Sequence, residues 1–88
     1  MEHRLELTRS AEKELALVFR SDRRLYGRFL LAFDAIAADP LGEGKPLKGE
    51  FEGLRSHRFG GYRVVYELVR GRLVILVIDL GPRRDIYR

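Results

Sequence analysis

The stretch that decides the fold is Leu54-Arg-Ser-His-Arg-Phe-Gly-Gly-Tyr-Arg-Val-Val-Tyr66, in which two runs of β-forming residues flank a glycine pair. A two-residue connection is the length of a primed hairpin turn. Such turns need positive φ at their central residues, which glycine adopts without steric cost. We therefore predict a β-hairpin with strands at 54–59 and 62–69 and Gly60-Gly61 at its tip.

Side-chain alternation along this hairpin separates an apolar face from a basic one. Alternate residues of a strand point to opposite faces of its sheet. One parity of the second strand is apolar and is predicted to pack against helices: Tyr62, Val64, Tyr66 and Leu68. The other parity groups Ser56, Arg58 and Arg63, which predicts a concave cationic surface, open to solvent and suited to an RNA backbone. His57 falls opposite Arg58, toward the helices or the sheet edge, where a packing role and a functional one both stay open.

The residues before the hairpin predict one strand and two helices. His3, Leu5 and Leu7 alternate with polar residues, as in a half-buried strand. Thr8 or Ser10 then offers an N-cap, and Ser21-Asp22 a break with a second one. Helical spacing gives each helix an apolar stripe, and the second helix is predicted to end at Asp39-Pro40. The stripes are Ala11, Leu15, Val18 and Phe19 in the first helix, and Leu25, Phe29, Phe33 and Ile36 in the second.

Two further segments complete the predicted architecture. Residues 41–53 are rich in glycine and contain Pro46, so we predict a loop. Residues 72–80 follow an Arg70-Gly71 turn and are apolar on both parities, which is typical of a central strand. The order β-α-α-β-β-β predicts an α+β fold, with an antiparallel helical pair on one face of a twisted, mainly antiparallel sheet. A length of 88 residues predicts a single domain, 1–88.

Composition indicates an acidic or polyanionic partner. The net charge is +4, and only Lys13, Lys45 and Lys48 are lysines, so guanidinium groups carry most of the positive charge. Guanidinium stays ionised and binds phosphate through a planar fork, although a basic but inert surface stays open as an alternative. The sequence has no cysteine, which rules out disulfides and thiolate metal sites but does not decide the compartment. It has no apolar run long enough for a membrane span and no leader-like N-terminus, so we expect a cytoplasmic protein.

Taken together, these segments resemble the RelE/ParE superfamily of bacterial and archaeal toxins, and in particular its RelE-like branch. Each motif is weak alone, but they follow one another in the order and at the spacing of the family across nearly the whole chain. The segments are Leu7-Thr8, Ala11-Glu-Lys-Glu-Leu15, Asp39-Pro40, Lys45-Pro-Leu-Lys-Gly49, Gly53-Leu54 with Arg58, Gly61-Tyr-Arg-Val-Val-Tyr66 and Gly81-Pro-Arg-Arg-Asp-Ile-Tyr87.

The resemblance implies a RelE-like, microbial-RNase-like fold and the role of a toxin in a type II toxin–antitoxin system. It implies cleavage of messenger RNA in the ribosomal A site through the RNA's own 2′-OH, with no metal or other cofactor. It also implies partners: the ribosome with its messenger RNA, and a cognate RelB-like antitoxin, acidic and with an amphipathic helix, in a hetero-oligomer. No membrane partner is implied.

The resemblance also assigns site residues by motif. Arg63 and Arg83 match phosphate-binding arginines, and Arg58 matches a basic position on the first hairpin strand. Tyr87 matches a C-terminal tyrosine that stacks on a base or assists proton transfer. We expect these four to be catalytic, and four further residues to contact the RNA: Lys48, Arg55, Ser56 and Arg84.

The chain departs from the family pattern in ways that leave alternatives open. Ser56 and Arg58 stand where lysines are frequent, and Pro82 where a histidine is frequent. Arginine is a poor general base, so the group that activates the 2′-OH is unassigned, with Glu52, Lys48 and Tyr87 as candidates. The alternatives are a ParE-like inhibitor of DNA gyrase, a toxin-fold binding protein without catalysis, and a small basic ribosome-associated protein.

Overall fold

A computed structural model describes residues 4–69 and 74–82 of the chain. Within them, five strands form one sheet in the order β1-β5-β4-β3-β2. β1 pairs with β5 in parallel, and the other neighbours are antiparallel. The elements are β1 (Arg4–Leu7), α1 (Arg9–Ser21), α2 (Arg23–Ala38), α3 (Pro40–Glu43), β2 (Lys45–Pro46), a 3₁₀ turn (Gly49–Phe51), β3 (Arg55–Phe59), β4 (Tyr62–Val69) and β5 (Val74–Pro82). The predicted α+β class is confirmed.

Aspartate or threonine caps begin the helices. Thr8 Oγ1 accepts a hydrogen bond from the Ala11 amide at 3.2 Å, and Asp22 Oδ1 accepts one from the Leu25 amide at 3.0 Å. Both caps were predicted, because an oxygen-bearing side chain satisfies an amide that the first turn leaves unpaired.

None of the helices in the described ranges is long and apolar enough to cross a bilayer.

The prediction of a plain loop at 41–53 was wrong. Asp39 ends α2, but its carboxylate also caps α3 by accepting from the Gly42 amide at 3.1 Å. Pro40 then occupies the first helical position, where its missing N–H costs nothing. The same Asp-Pro pair therefore stops one helix and starts another. The short strand Lys45–Pro46 follows and adds an edge to the sheet beside β3.

The core lies between the helical pair and one face of the sheet. Phe29 and Ile36 of α2 are fully buried against Val64 and Tyr66 of β4, as the strand parity predicts. β5 breaks that parity. Val77 and Leu80 both belong to the core although they are three residues apart, because the β4–β5 register shifts between Val65 and Tyr66. A bulge of this kind adds a residue to one strand and re-aims the side chains that follow.

The hairpin turn forms at the predicted glycine pair. Phe59 pairs with Tyr62, and Gly60 has a φ of +57°. Gly61 does not have a positive φ, so only the first central residue of the turn is left-handed. That pattern is typical of a type II′ turn, which matches the twist of the two strands.

Candidate functional site

The strand register places the predicted basic residues in neighbouring rows. Arg58 of β3 pairs directly with Arg63 of β4, and Arg63 pairs with Gly81 of β5. Directly opposed residues of antiparallel strands point to the same face, with Cβ atoms about 5 Å apart. The prediction that Arg58 and Arg63 share a face is therefore confirmed.

The two arginines differ in their exposure to solvent. Arg58 is exposed, whereas Arg63 is only 1% exposed and Ser56 5%. The prediction of a fully open face was therefore wrong for Arg63 and Ser56. Both lie toward the middle of the sheet, since Ser56 has strands on both sides and Arg63 lies between β3 and β5. A guanidinium in such a site keeps its charge and acts through a low local dielectric.

A cavity of about 270 Å³ lies beside these residues at the edge of β3. Its lining, which we call the edge groove, consists of Glu43, Lys45, Ser56, His57 and Arg58. The groove brings together two predicted site residues, Ser56 and Arg58. It also contains Glu43 and Lys45, neither of which was predicted as a site residue. Lys45 reaches the groove because β2 pairs it with Ser56, and that pairing lies in the segment predicted as loop.

Three side chains from the hairpin hold the segment 40–44 by its main-chain oxygens, and we call them the carbonyl clasp. The Tyr66 hydroxyl donates to the Pro40 carbonyl at 2.5 Å. Arg55 Nη2 donates to two carbonyls, of Leu41 at 2.9 Å and of Gly44 at 2.8 Å. His57 Nδ1 lies 2.7 Å from the Glu43 carbonyl oxygen. The clasp fixes one wall of the edge groove.

The other predicted site residues lie apart from the groove or outside the described residues. Arg55 belongs to the clasp and does not line the groove, and its contact with RNA stays a prediction. Lys48 is exposed in the turn before Gly49–Phe51, and Glu52 is exposed after it; neither lines the groove. Three predicted residues lie outside the described ranges, and their roles stay predictions: Arg83, Arg84 and Tyr87.

Tyr66→Phe is expected to lower the free energy of unfolding by about 1–2 kcal/mol at pH 7, because it removes the hydrogen bond to the Pro40 carbonyl. Burial raises the pKa of the Tyr66 hydroxyl above 10.0, and Arg55 partly opposes this. As the pH rises, the Tyr66 hydroxyl therefore loses its proton at a lower pH in the unfolded chain than in the folded one. The stability that the neutral hydroxyl contributes is complete below pH 10 and is lost at higher pH. Urea unfolding from pH 7 to 11 measures both effects.

The control for this variant is Tyr26→Phe, a partly buried tyrosine whose ring packs on Phe19. Its free energy of unfolding is expected to fall between pH 7 and 11 as steeply as that of the natural chain, whereas that of Tyr66→Phe falls less steeply. Equal declines in the two variants would contradict the assignment to Tyr66.

Comparisons with known proteins agree on one group of relatives. The sequence profile of the family described as "ParE toxin of type II toxin-antitoxin system, parDE" matches residues 5–87. Two curated relatives from Mycobacterium tuberculosis are similar over part of the chain. Toxin RelG is 37% identical over 65% of this chain, and Toxin RelE is 39% identical over 64% of it. The matches span 66% and 58% of those relatives, less than two thirds of either length.

A solved structure extends the likeness over the described fold. The toxin–antitoxin complex RelBE2 of Mycobacterium tuberculosis contains a chain with a TM-score of 0.82 and 25% identity. The superposition covers 94% of this chain and all of the other. The arrangement of helices and sheet described above is therefore the one found in that complex.

Proposed function

We propose a function from one premise: this chain belongs to the ParE-toxin family of type II toxin–antitoxin systems, within the RelE/ParE superfamily. The proposed activity is cleavage of messenger RNA on the ribosome. The observation that carries the proposal is the direct pairing of Arg58 with Arg63 beside the edge groove. Two guanidinium groups on one face fit the two non-bridging oxygens of a backbone phosphate, which share its negative charge.

The reaction places a specific demand on these arginines. When a 2′-OH attacks the neighbouring phosphorus, negative charge develops on the phosphate oxygens before the bond to the 5′ oxygen breaks. Preorganised cations in a site that excludes water stabilise this charge most effectively. Arg63 is nearly inaccessible to solvent and Arg58 is exposed, so Arg63 supplies fixed stabilisation while Arg58 meets the RNA first.

The remaining predicted residues extend this site. Arg83 is proposed as a second phosphate-binding arginine, and Tyr87 as a stacking or proton-transferring group. Lys48, Ser56 and Arg84 are proposed to follow the RNA backbone on either side. The proposed site of action is the cytoplasm, on ribosomes that carry a messenger.

The proposed inhibitor is an acidic RelB-type antitoxin that forms a hetero-oligomer with the toxin. A cavity of about 680 Å³ beside the helical pair offers an apolar surface for an amphipathic helix. Leu15, Phe19 and Tyr26 line it, and Phe19 is 39% exposed. The net charge of +4 attracts an acidic partner and speeds its association.

Induced expression in bacteria tests the proposed activity. We expect protein synthesis to stop rapidly and primer extension to find new 5′ ends within translated messages, but not in the same RNA without a start codon. Intact messages together with filamentation and an SOS response would contradict this expectation.

Filamentation and an SOS response with intact messages would instead support the second candidate, inhibition of DNA gyrase, which we propose because the matching family is described as a ParE toxin. A supercoiling assay with purified gyrase separates the two functions, because a ribosome-dependent nuclease leaves supercoiling unchanged.

A further inference from the structure

The edge groove contains a histidine–carboxylate pair besides its cations, and the proposed cleavage lacks a group that deprotonates the 2′-OH. We infer that His57 is that general base and that Glu43 holds and supports its ring. This inference rests on the proposed function and extends it.

The hydrogen bond to the main chain fixes the form of the His57 ring. The Glu43 carbonyl can only accept a hydrogen bond, so Nδ1, at 2.7 Å, carries the hydrogen. The lone pair of the neutral ring is then on Nε2, where a general base needs it. Glu43 Oε1 lies 3.7 Å from Nδ1, close enough to stabilise the imidazolium that forms when Nε2 takes a proton.

The surroundings of His57 suit this role. Its side chain is 14% exposed, so the ring is held in place but is reached from the groove. Charged groups of other elements that line cavities with it are Glu43 of α3, Lys45 of β2 and Arg28 of α2, and Arg58 is its neighbour on β3. Strand parity places His57 on the opposite face from Arg58, and the two side chains come together only at the edge of β3, where both line the groove. A phosphate attracted to this edge by Lys45 and Arg58 brings the adjacent ribose to the groove that His57 lines.

The other candidates for the base are less well placed. Glu52 and Lys48 are exposed outside the groove, and guanidinium groups do not release their protons near neutral pH. Lys45 lines the groove, but its ammonium form has no lone pair to accept a proton. Among the residues that line the groove, we therefore assign the base to His57, supported by Glu43.

The proposed step balances without another reactant. Nε2 takes the 2′-OH proton, the 2′ oxygen bonds to phosphorus, and the bond between phosphorus and the 5′ oxygen breaks. The 5′ oxygen receives a proton from water, and the imidazolium returns its own proton to solvent. The products are a 2′,3′-cyclic phosphate and a 5′-hydroxyl.

His57→Asn is the main test. The asparagine amide retains an N–H donor for the Glu43 carbonyl but has no basic nitrogen. With the full chain and programmed ribosomes, we expect the single-turnover cleavage rate to fall about 10²–10⁴-fold while the affinity for the ribosome stays unchanged. His3→Asn is the matched control, because His3 is the only other histidine in the sequence, and it is expected to cleave at the natural rate.

Two further measurements separate a base from a structural residue. Added imidazole is expected to restore part of the cleavage by His57→Ala, which a purely structural role would not allow. A substrate with sulfur in place of the 5′ oxygen releases its leaving group without protonation, so the loss in His57→Asn is expected to persist on it.

The inference is overturned if His57→Asn cleaves at the natural rate, if imidazole has no effect on His57→Ala, or if the sulfur substrate restores His57→Asn. A natural chain that does not cut RNA in the same assay instead refutes the proposed function itself. Failure of the inference is therefore seen in the His57 variants, and failure of the proposed function in the natural chain.

Discussion

An Arg63→Met variant is expected to cleave messenger RNA about 10²–10³-fold more slowly than the natural chain. Arg63 is 1% exposed, so its charge acts on the proposed transition state with little screening by water. Methionine is unbranched and uncharged, so it fills much of the same space while it removes the guanidinium group. Single-turnover cleavage on programmed ribosomes measures the rate, and thermal unfolding measures the fold.

The matched control for this variant is Arg24→Met, which removes an exposed arginine from α2, away from the edge groove. It is expected to retain the natural rate. A cleavage rate of Arg63→Met close to that of the control would contradict the role of Arg63. Adding Arg83→Ala to Arg63→Met is expected to abolish toxicity, and toxicity that survives this double change would refute the cationic mechanism for any target.

Phe29→Ala is expected to produce the largest loss of stability, about 3–5 kcal/mol. Phe29 is fully buried, and its ring lies 4.9 Å from that of Phe59 and 5.9 Å from that of Tyr62. Its removal leaves a cavity where α2 meets the hairpin. Since a domain of this size has about 4–13 kcal/mol in total, we expect much of the variant to be unfolded at 37 °C.

Urea unfolding followed by circular dichroism measures this loss. Leu31→Ala on the same helix is the control, because Leu31 is 69% exposed, and it is expected to cost less than about 1 kcal/mol. Similar midpoints for Phe29→Ala and Leu31→Ala would show that Phe29 is not a central core residue.

Much of the fold was predictable because its signals are local. The caps at Thr8 and Asp22, the turn at Gly60 and the apolar parity of β4 each depend on a few neighbouring residues. The bulge in β5 was not predictable from alternation, because it exists only in the register with β4. The start of α3 at Asp39-Pro40 was not predicted, because the pair was interpreted only as the end of α2.

The site was predictable only in part. Period-two alternation correctly placed Arg58 beside Arg63, because it depends on the strand alone. The burial of Arg63 depends on neighbouring strands, and the arrival of Glu43 and Lys45 at the groove depends on a two-residue strand. No short-range pattern marks such a strand. Parity placed His57 toward the helices or the sheet edge, but its hydrogen bond to the Glu43 carbonyl joins residues 14 positions apart, which no local pattern predicts.

The carbonyl clasp has a consequence for how such a chain can change. Every hydrogen bond of the clasp ends on a main-chain oxygen, which every amino acid carries. The Leu41 carbonyl accepts one of these hydrogen bonds from Arg55, while Leu41 itself is 63% exposed. Substitutions at position 41 can therefore change the exposed surface beside the clasp without removing the hydrogen bonds that anchor the segment 40–44.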